Sequence, residues 1–240
     1  FLAGGSFSLY YRAWVKGPSV ILRNTEFRTY LGIILAAMLL IALNLILEKG
    51  IDSADAARFA VFQATSLSTT GFVSADFETW PTFSKLLLLL LMSIGGCAGS
   101  TASGIKVARI ILLVRNARAV ILQKLNPHRV VDISLGGAHV DGAMLLRVGT
   151  FFFLYVTVIF VTALLLTMDG LQPFDAIAVA ITTLGNIGPA FGIVSATSTY
   201  APLSDFAKGI LCLSMLLGRL EIFTLLILLR PSFWRKTKRW

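Results

Sequence analysis

The strongest constraint on the fold is a set of four apolar stretches, each close to or longer than the roughly 20 residues that a helix needs to cross a bilayer. They cover approximately residues 29–47, 84–122, 143–168 and 206–229. Only 14% of the residues are charged, whereas a soluble domain carries about 25% charged residues. The sequence therefore predicts an all-α integral membrane protein that lies in a lipid bilayer.

Two shorter apolar segments, residues 54–67 and 173–183, lie between the members of each pair of long stretches. They are too short to span a bilayer and too apolar for a solvent loop, so we expect re-entrant half-helices. The glycines that follow them, Gly71 and Gly188, are 117 residues apart, close to the offset between the flanking helices. A constant offset indicates a duplicated unit of helix, half-helix, loop and helix.

The basic residues predict the orientation in the membrane. The N-terminal segment, the middle connection and the C-terminal tail hold 15 basic residues against three acids, whereas the opposite side holds four against eight. Because Lys and Arg mark the cytoplasmic side, both ends of the chain should be cytoplasmic and both half-helices should enter from outside. Each unit contains two spanning helices, so the repeats are parallel. The net charge is +9, but the basic residues lie at the ends of the apolar stretches and form no basic face. This placement argues against nucleic acid as a partner.

A polar, glycine-bearing stretch follows each half-helix, with the sequence Ser-Thr-Thr-Gly-Phe at 68–72 and Gly-Asn-Ile-Gly-Pro at 185–189. A half-helix that enters from outside directs the negative end of its dipole at the bilayer interior, which favours a cation. Carbonyl oxygens freed from helical bonding can replace the hydration shell of an ion. Two such stretches at matching offsets predict a cation filter, with ordinary external turns as the alternative.

Ten consecutive small residues, from Gly95 to Gly104, interrupt the second apolar stretch. Each glycine costs a helix about 1 kcal/mol relative to alanine. The alternative is close packing against another helix through Gly95 and Gly99. Such packing needs small residues on only one face of a helix, whereas this segment has small residues on every face. We therefore expect a break in the helix just below the filter.

Arg219 lies inside the fourth apolar stretch. An arginine near the bilayer centre costs about 2.5 to 3.5 kcal/mol on insertion scales, so it should face protein or water. Glu221 is not its expected partner, because neighbours on a helix are three or four residues apart. We expect Arg219 to donate to carbonyls or hydroxyls of the 95–104 segment and to oppose the passage of cations, with simple fastening of helices as the alternative.

Three motifs together resemble the Trk/Ktr/HKT superfamily of potassium uptake proteins, most like its bacterial Trk branch. The motifs are Phe-Gln-Ala-Thr-Ser-Leu-Ser-Thr-Thr-Gly-Phe at 62–72, Gly-Gly-Cys-Ala-Gly-Ser-Thr-Ala-Ser-Gly-Ile-Lys at 95–106 and Gly-Arg-Leu-Glu-Ile-Phe-Thr at 218–224. The resemblance implies a potassium-channel-like fold in which four helix–pore loop–helix repeats surround one pseudo-fourfold pore. This chain resembles the third and fourth repeats, so we expect the other half of the pore upstream in the intact protein.

The resemblance also assigns roles by position. The implied filter residues, which bind the ion, are Thr69, Thr70, Gly71, Asn186, Ile187 and Gly188. Gly185 is the competing choice for the filter glycine of the fourth repeat. The implied gate consists of Gly95, Gly96, Gly99, Ser100, Gly104, Lys106 and Arg219. We expect Lys106 to extend its ammonium group toward the membrane interface rather than into the pore.

These observations divide the chain into five segments. Residues 1–28 hold the end of a preceding repeat and a cytoplasmic connection, and residues 29–124 hold the first helix–pore–helix repeat with a broken second helix. Residues 125–142 form a cytoplasmic connection and residues 143–230 the second repeat. Residues 231–240 form a basic cytoplasmic tail that anchors at the membrane interface.

The implied function is K⁺ uptake across the cytoplasmic (inner) membrane, gated by the intramembrane glycine-rich loop, with K⁺ as the transported ion, no cofactor and no enzymatic activity. The implied protein partners are a second copy of the protein, forming a homodimer, and a cytosolic nucleotide-binding regulatory subunit. A sodium-permeable or K⁺/Na⁺-coupled relative is the first alternative. A membrane-embedded enzyme is a remote one, because Glu221 is the only acid deep in a span and His128 and His139 lack spaced metal-ligand partners.

Overall fold

The computed structural model describes residues 2–126, 132–228 and 230–234, apart from the side chain of Ser232. The predictions for His128 and for the basic tail beyond Trp234 therefore lie outside the described residues. Within them the chain forms eleven α-helices and one short antiparallel hairpin. The helices are α1 Phe7–Lys16, α2 Ser19–Arg23, α3 Thr25–Lys49, α4 Ser53–Leu67, α5 Thr82–Ser93, α6 Val107–Leu125, α7 Gly142–Thr167, α8 Pro173–Leu184, α9 Asp205–Arg219, α10 Ile222–Leu228 and α11 Pro231–Trp234. The hairpin pairs β1 Ser134–Leu135 with β2 Ala138–His139.

Helices α3 and α7 are long and apolar enough to cross a membrane. Asn24 precedes helix α3, and its side chain accepts a hydrogen bond of 2.9 Å from the Phe27 amide; Gly50 follows the helix in a left-handed conformation. These are a side-chain N-cap and a glycine C-cap. Large apolar side chains such as Leu39 remain exposed on the outer face of α3, as expected for a helix that contacts lipid.

The predicted half-helices are α4 and α8, of 15 and 12 residues. Helix α4 packs on α3, and α8 packs between α7 and α9. Every residue from Ala178 to Leu184 is buried, so the last two turns of α8 lie inside the protein. Helix α5 contacts α8, and one hydrophobic core therefore joins the two repeats.

Two of the four predicted spans are not single helices. The second stretch is divided into α5 and α6, which are separated by residues 94–106. The fourth is divided into α9 and α10, which meet at an angle of 109°. A continuous fourth helix is the wrong prediction, because Glu221 adopts a positive φ of 61° that no α-helix accommodates.

The connection between the repeats also differs from a plain loop, since it contains the hairpin. His139 at the end of β2 is exposed, and its Nδ1 contacts the carboxylate of Asp132. The pair lies on the surface and away from the segments that follow the half-helices.

Candidate ion filter and gate loop

We name residues 68–72 and 185–189 the first and second filter loops. Each half-helix ends four residues before a glycine with a positive φ: α4 ends at Leu67 before Gly71 (φ 76°), and α8 ends at Leu184 before Gly188 (φ 115°). Gly185 has a helical φ of −76° and caps α8. Gly188, rather than Gly185, is therefore the geometric counterpart of Gly71.

The amide groups of both filter loops bond back into the half-helices. The amides of Thr70 and Gly71 donate to the Ser66 carbonyl at 2.7 and 3.0 Å, and the Ile187 amide donates to the Thr182 carbonyl at 2.9 Å. The loop carbonyl oxygens that receive no hydrogen bond from the described part of the chain include those of Thr69, Thr70, Gly71, Asn186 and Ile187. Most loop amides thus bond back into the half-helices while these acceptors stay free, which is the arrangement a cation requires.

A hydroxyl group from the last turn of each half-helix fixes the carbonyl that follows the loop glycine. Ser66 Oγ donates to the Phe72 carbonyl at 2.6 Å, and Thr182 Oγ1 donates to the Pro189 carbonyl at 2.8 Å. Thr182 Oγ1 also accepts from the Gly188 amide at 3.1 Å. These two bonds were not predicted from the sequence. The signal that could have indicated them is a hydroxyl residue near the end of each half-helix, Ser66 in α4 and Thr182 in α8.

The two filter loops lie against each other. A Cβ atom built on Gly71 would stand 1.8 Å from the carbonyl oxygen of Ile187 and 3.2 Å from Cδ of Pro189. Any side chain at position 71 would therefore overlap the backbone of the other loop. Gly71 is required for this close approach as well as for its φ.

The segments that follow the filter loops are joined by a carboxylate. Glu78 Oε1 pairs with Lys85 Nζ at 2.6 Å, and Glu78 Oε2 accepts from the Gly192 amide at 3.1 Å. The rings of Phe77 and Phe191 meet edge to face, with centroids 5.3 Å apart. These contacts fix one repeat relative to the other at the filter.

Residues 94–106 form a compact segment between α5 and α6, which we name the gate loop. The amide of Gly95 donates to the Ile105 carbonyl at 3.0 Å, and the amide of Val107 donates to the Gly96 carbonyl at 3.1 Å. A Cβ on Gly95 would stand 2.0 Å from the Ser103 carbonyl oxygen. The small residues thus allow the loop to fold closely on itself.

The gate loop is fastened to the N-terminal part of the chain. The Cys97 amide donates to the Gly4 carbonyl at 2.7 Å. Glu26 Oε1 accepts from the amides of Ala98 at 2.5 Å and Ala108 at 3.2 Å. Glu26 was not predicted as a site residue, because nothing in the local sequence signals a contact over more than 70 residues.

Two predicted basic residues bond to carbonyls of the gate loop. Arg219 Nη1 donates to the Thr101 carbonyl at 3.1 Å. Lys106 Nζ donates to the carbonyls of Ser100, at 3.4 Å, and Ala102. Both side chains line a cavity of about 330 Å³ between the gate loop and the bend at the end of α9. The expectation that Lys106 extends toward the interface is therefore wrong, because the loop carbonyls satisfy its ammonium group.

The bend between α9 and α10 is held by an ion pair. Arg109 Nη2 lies 3.1 and 3.0 Å from the two carboxylate oxygens of Glu221. The Arg109 guanidinium also lies 3.9 Å above the centre of the Phe151 ring, a cation–π contact. Glu221 is thus the partner of Arg109, in agreement with the expectation that it does not pair with Arg219.

Asn186 connects the second filter loop to the gate loop. Its Nδ2 donates to Ser103 Oγ at 3.3 Å and to the Met215 carbonyl at 3.2 Å. The remaining predicted residues lie in the same two regions, Thr69 in the first filter loop and Gly99, Ser100 and Gly104 in the gate loop. The structure therefore brings the filter candidates into two adjacent loops and the gate candidates into one loop and the end of α9.

A family model described as TrkH, cation transport protein, matches residues 18–236. The Trk system potassium uptake protein TrkH of Salmonella typhimurium is 37% identical over 239 residues, which cover 98% of this chain and 49% of that protein. The corresponding TrkG protein of Escherichia coli is 32% identical over 246 residues, covering 98% and 50%.

A solved structure agrees with these sequence matches. The crystal structure of the potassium transporter TrkH from Vibrio parahaemolyticus superposes with a TM-score of 0.88 at 37% identity, covering 98% of this chain and 51% of that one. The chain spans about half the length of the curated relatives it matches.

Proposed function

The chain belongs to the TrkH family of cation transport proteins, and from this membership we propose that it forms half of a potassium-conducting pore in the cell membrane. The observation that carries the proposal is the pair of adjacent filter loops, in which most amide donors bond inward and carbonyl oxygens of both loops receive no hydrogen bond from the described residues. The names of the relatives, which are potassium uptake proteins and a potassium transporter, support K⁺ as the ion.

In the proposed mechanism, K⁺ exchanges its water shell for the free carbonyl oxygens of Thr69, Thr70, Gly71, Asn186 and Ile187. The C-terminal ends of α4 and α8 point at the same place and add roughly half a negative charge each. Two further repeats in the intact protein supply the other carbonyls. The half-helices enter from outside, so the gate loop lies on the cytoplasmic side of the filter.

The gate loop then decides whether the ion leaves the filter. Arg219 holds the loop through the Thr101 carbonyl, and Lys106 holds it through two further carbonyls. Both side chains also place positive charge beside the path of a cation, which raises the electrostatic barrier. Opening therefore requires the Arg219 bond to break and the loop to move.

The proposal retains the two protein partners that the resemblance implies, a second copy of the protein and a cytosolic nucleotide-binding regulatory subunit. The basic side chains along α6 support the second partner, since in the proposed orientation this helix leads into the cytoplasm. These side chains are Arg115, Arg118 and Lys124. The ion and the backbone carbonyls suffice for conduction, so no organic cofactor takes part.

Ion-replacement flux tests the proposal against the sodium-permeable alternative. In liposomes that contain the intact protein, K⁺ and Rb⁺ flux should exceed Na⁺ and Li⁺ flux by about tenfold or more, because a carbonyl cage replaces the hydration of the larger ions better. Equal Na⁺ flux would favour the sodium-permeable relative. Flux no higher than that of empty liposomes for every ion would contradict the proposal.

A matched pair of substitutions identifies the filter glycine of the second repeat. Gly188→Ala should lower K⁺ flux by about tenfold, because a φ of 115° strains any residue with a Cβ. Gly185→Ala should keep flux within about twofold, since its backbone is helical. Its Cβ would stand 3.1 Å from the Ile181 carbonyl oxygen one helical turn earlier and 3.1 Å from the flexible end of the Ile187 side chain. The reverse order of effects, measured in the same liposomes, would make Gly185 the filter glycine.

A further inference from the structure

The two filter loops differ at the carbonyl of the loop glycine. The Gly71 carbonyl receives no hydrogen bond from the described residues. Its counterpart, the Gly188 carbonyl, accepts a hydrogen bond from the hydroxyl of Tyr200. The two repeats of this chain therefore differ in the hydrogen bonding of the loop-glycine carbonyl, a position that should be equivalent in a pseudo-fourfold pore.

Tyr200 is a partly buried residue beside this carbonyl. It lies in the segment between α8 and α9, and its ring packs against the hydrophobic core that joins the two repeats. The Gly188 carbonyl points toward this hydroxyl, and hence toward the segment that follows the second filter loop. Burial raises the pKa of Tyr200 to about 12, so its phenol stays protonated and remains a donor at physiological pH.

The peptide units around Gly188 are fixed on both sides. Thr182 Oγ1 holds the Gly188 amide at 3.1 Å and the Pro189 carbonyl at 2.8 Å. The Tyr200 hydroxyl binds the Gly188 carbonyl, which lies between these two groups in the chain. Three consecutive backbone hydrogen-bonding groups are therefore bound to side chains. In the first filter loop the Ser66 hydroxyl donates to the Phe72 carbonyl, as the Thr182 hydroxyl does to the Pro189 carbonyl. The Gly71 carbonyl, however, receives no hydrogen bond within the described residues.

We propose that Tyr200 is a positioning residue that keeps the Gly188 carbonyl out of the coordination shell of the ion, so that the second filter loop offers one carbonyl fewer than the first. The proposal rests on the function proposed above. Because the number of carbonyl dipoles around an ion is one determinant of selectivity for K⁺ over the smaller Na⁺, this withdrawn carbonyl limits the selectivity of the filter.

Removal of the Tyr200 hydroxyl should release the carbonyl. A buried acceptor without a donor is unfavourable, whereas a carbonyl that turns toward the pore finds the ion as a partner. The added ligand should favour K⁺ over Na⁺. A residue with only a structural role would change the amount of folded protein and leave the ion preference as it was.

The test is Tyr200→Phe in the intact protein, with the K⁺/Na⁺ permeability ratio measured in liposomes and thermal melting measured in parallel. We expect the ratio to rise about threefold or more above that of the unchanged protein, as expected when a carbonyl ligand is added. Tyr11→Phe is the matched control, because Tyr11 is exposed on α1 and should leave the ratio unchanged. Should the phenylalanine variant fail to fold, Tyr200→Met removes the same hydroxyl and serves in its place.

The outcomes separate this inference from the function on which it rests. A K⁺-selective protein whose Tyr200→Phe variant folds but shows an unchanged or lower ratio overturns the role of Tyr200 alone. A protein that shows no preference for K⁺ in either flux or K⁺-dependent thermal stabilisation overturns both. A raised ratio in the variant, with the control unchanged, supports both.

Discussion

Gly71→Ala should lower K⁺ flux through the intact protein by about tenfold or more, a change that corresponds to at least about 1.4 kcal/mol. The added Cβ would stand 1.8 Å from the Ile187 carbonyl oxygen, so the filter loops would have to separate. The φ of 76° at this position adds backbone strain for alanine. The measurement is uptake of radioactive rubidium into liposomes at equal amounts of folded protein.

Gly149→Ala is the matched control for this substitution. Gly149 lies within α7, and a Cβ there would meet no atom within 4 Å. Alanine also favours the helix, so flux and melting temperature should stay at the level of the unchanged protein. If Gly71→Ala conducted as well as this control, the two loops would not form the filter.

Arg219→Ala should raise K⁺ flux by about fivefold to tenfold. Hydrogen bonds to charged groups contribute about 1.5 to 3 kcal/mol, and the substitution removes the bond to the Thr101 carbonyl. The closed gate loop should lose stability by up to this amount, since Lys106 still holds it. The lost positive charge also lowers the barrier for a cation in the adjoining cavity.

Two further variants test whether the bond or the charge dominates. Arg219→Lys keeps the charge but loses the planar group of donors, so its flux should lie between those of the alanine variant and the unchanged protein. Arg147→Ala removes an exposed arginine of α7 and should leave flux unaltered. Unchanged flux in Arg219→Ala would show that Arg219 only fastens helices.

The half-helices were the most predictable elements of the fold. Their lengths fall between those of a loop and a membrane span, and the prediction for residues 54–67 differs from α4 by one residue at its start. The bilayer thickness fixes how long a spanning helix must be, so an apolar segment that is too short to span can be recognised from the sequence alone. The bend after α9 was not predictable, because it depends on Arg109, which lies 112 residues away from Glu221.

The candidate site shows the same division. Gly71 and the gate-loop glycines are visible in the sequence, because irregular backbone at membrane depth requires small residues. The choice between Gly185 and Gly188 required backbone angles, which only the structure provides. Glu26 accepts from amides more than 70 residues away, and Tyr200 donates to a carbonyl 12 residues away. Neither contact leaves a recognisable pattern in the sequence.

Anomalous X-ray diffraction from crystals of the intact protein grown with Rb⁺ tests the central claim most directly. The account predicts an anomalous peak between the two filter loops, next to the carbonyl oxygens of Thr70 and Ile187, that disappears when Na⁺ replaces Rb⁺. An ordered filter without such a peak, or a peak confined to another part of the protein, would contradict the assignment of these loops as a potassium filter.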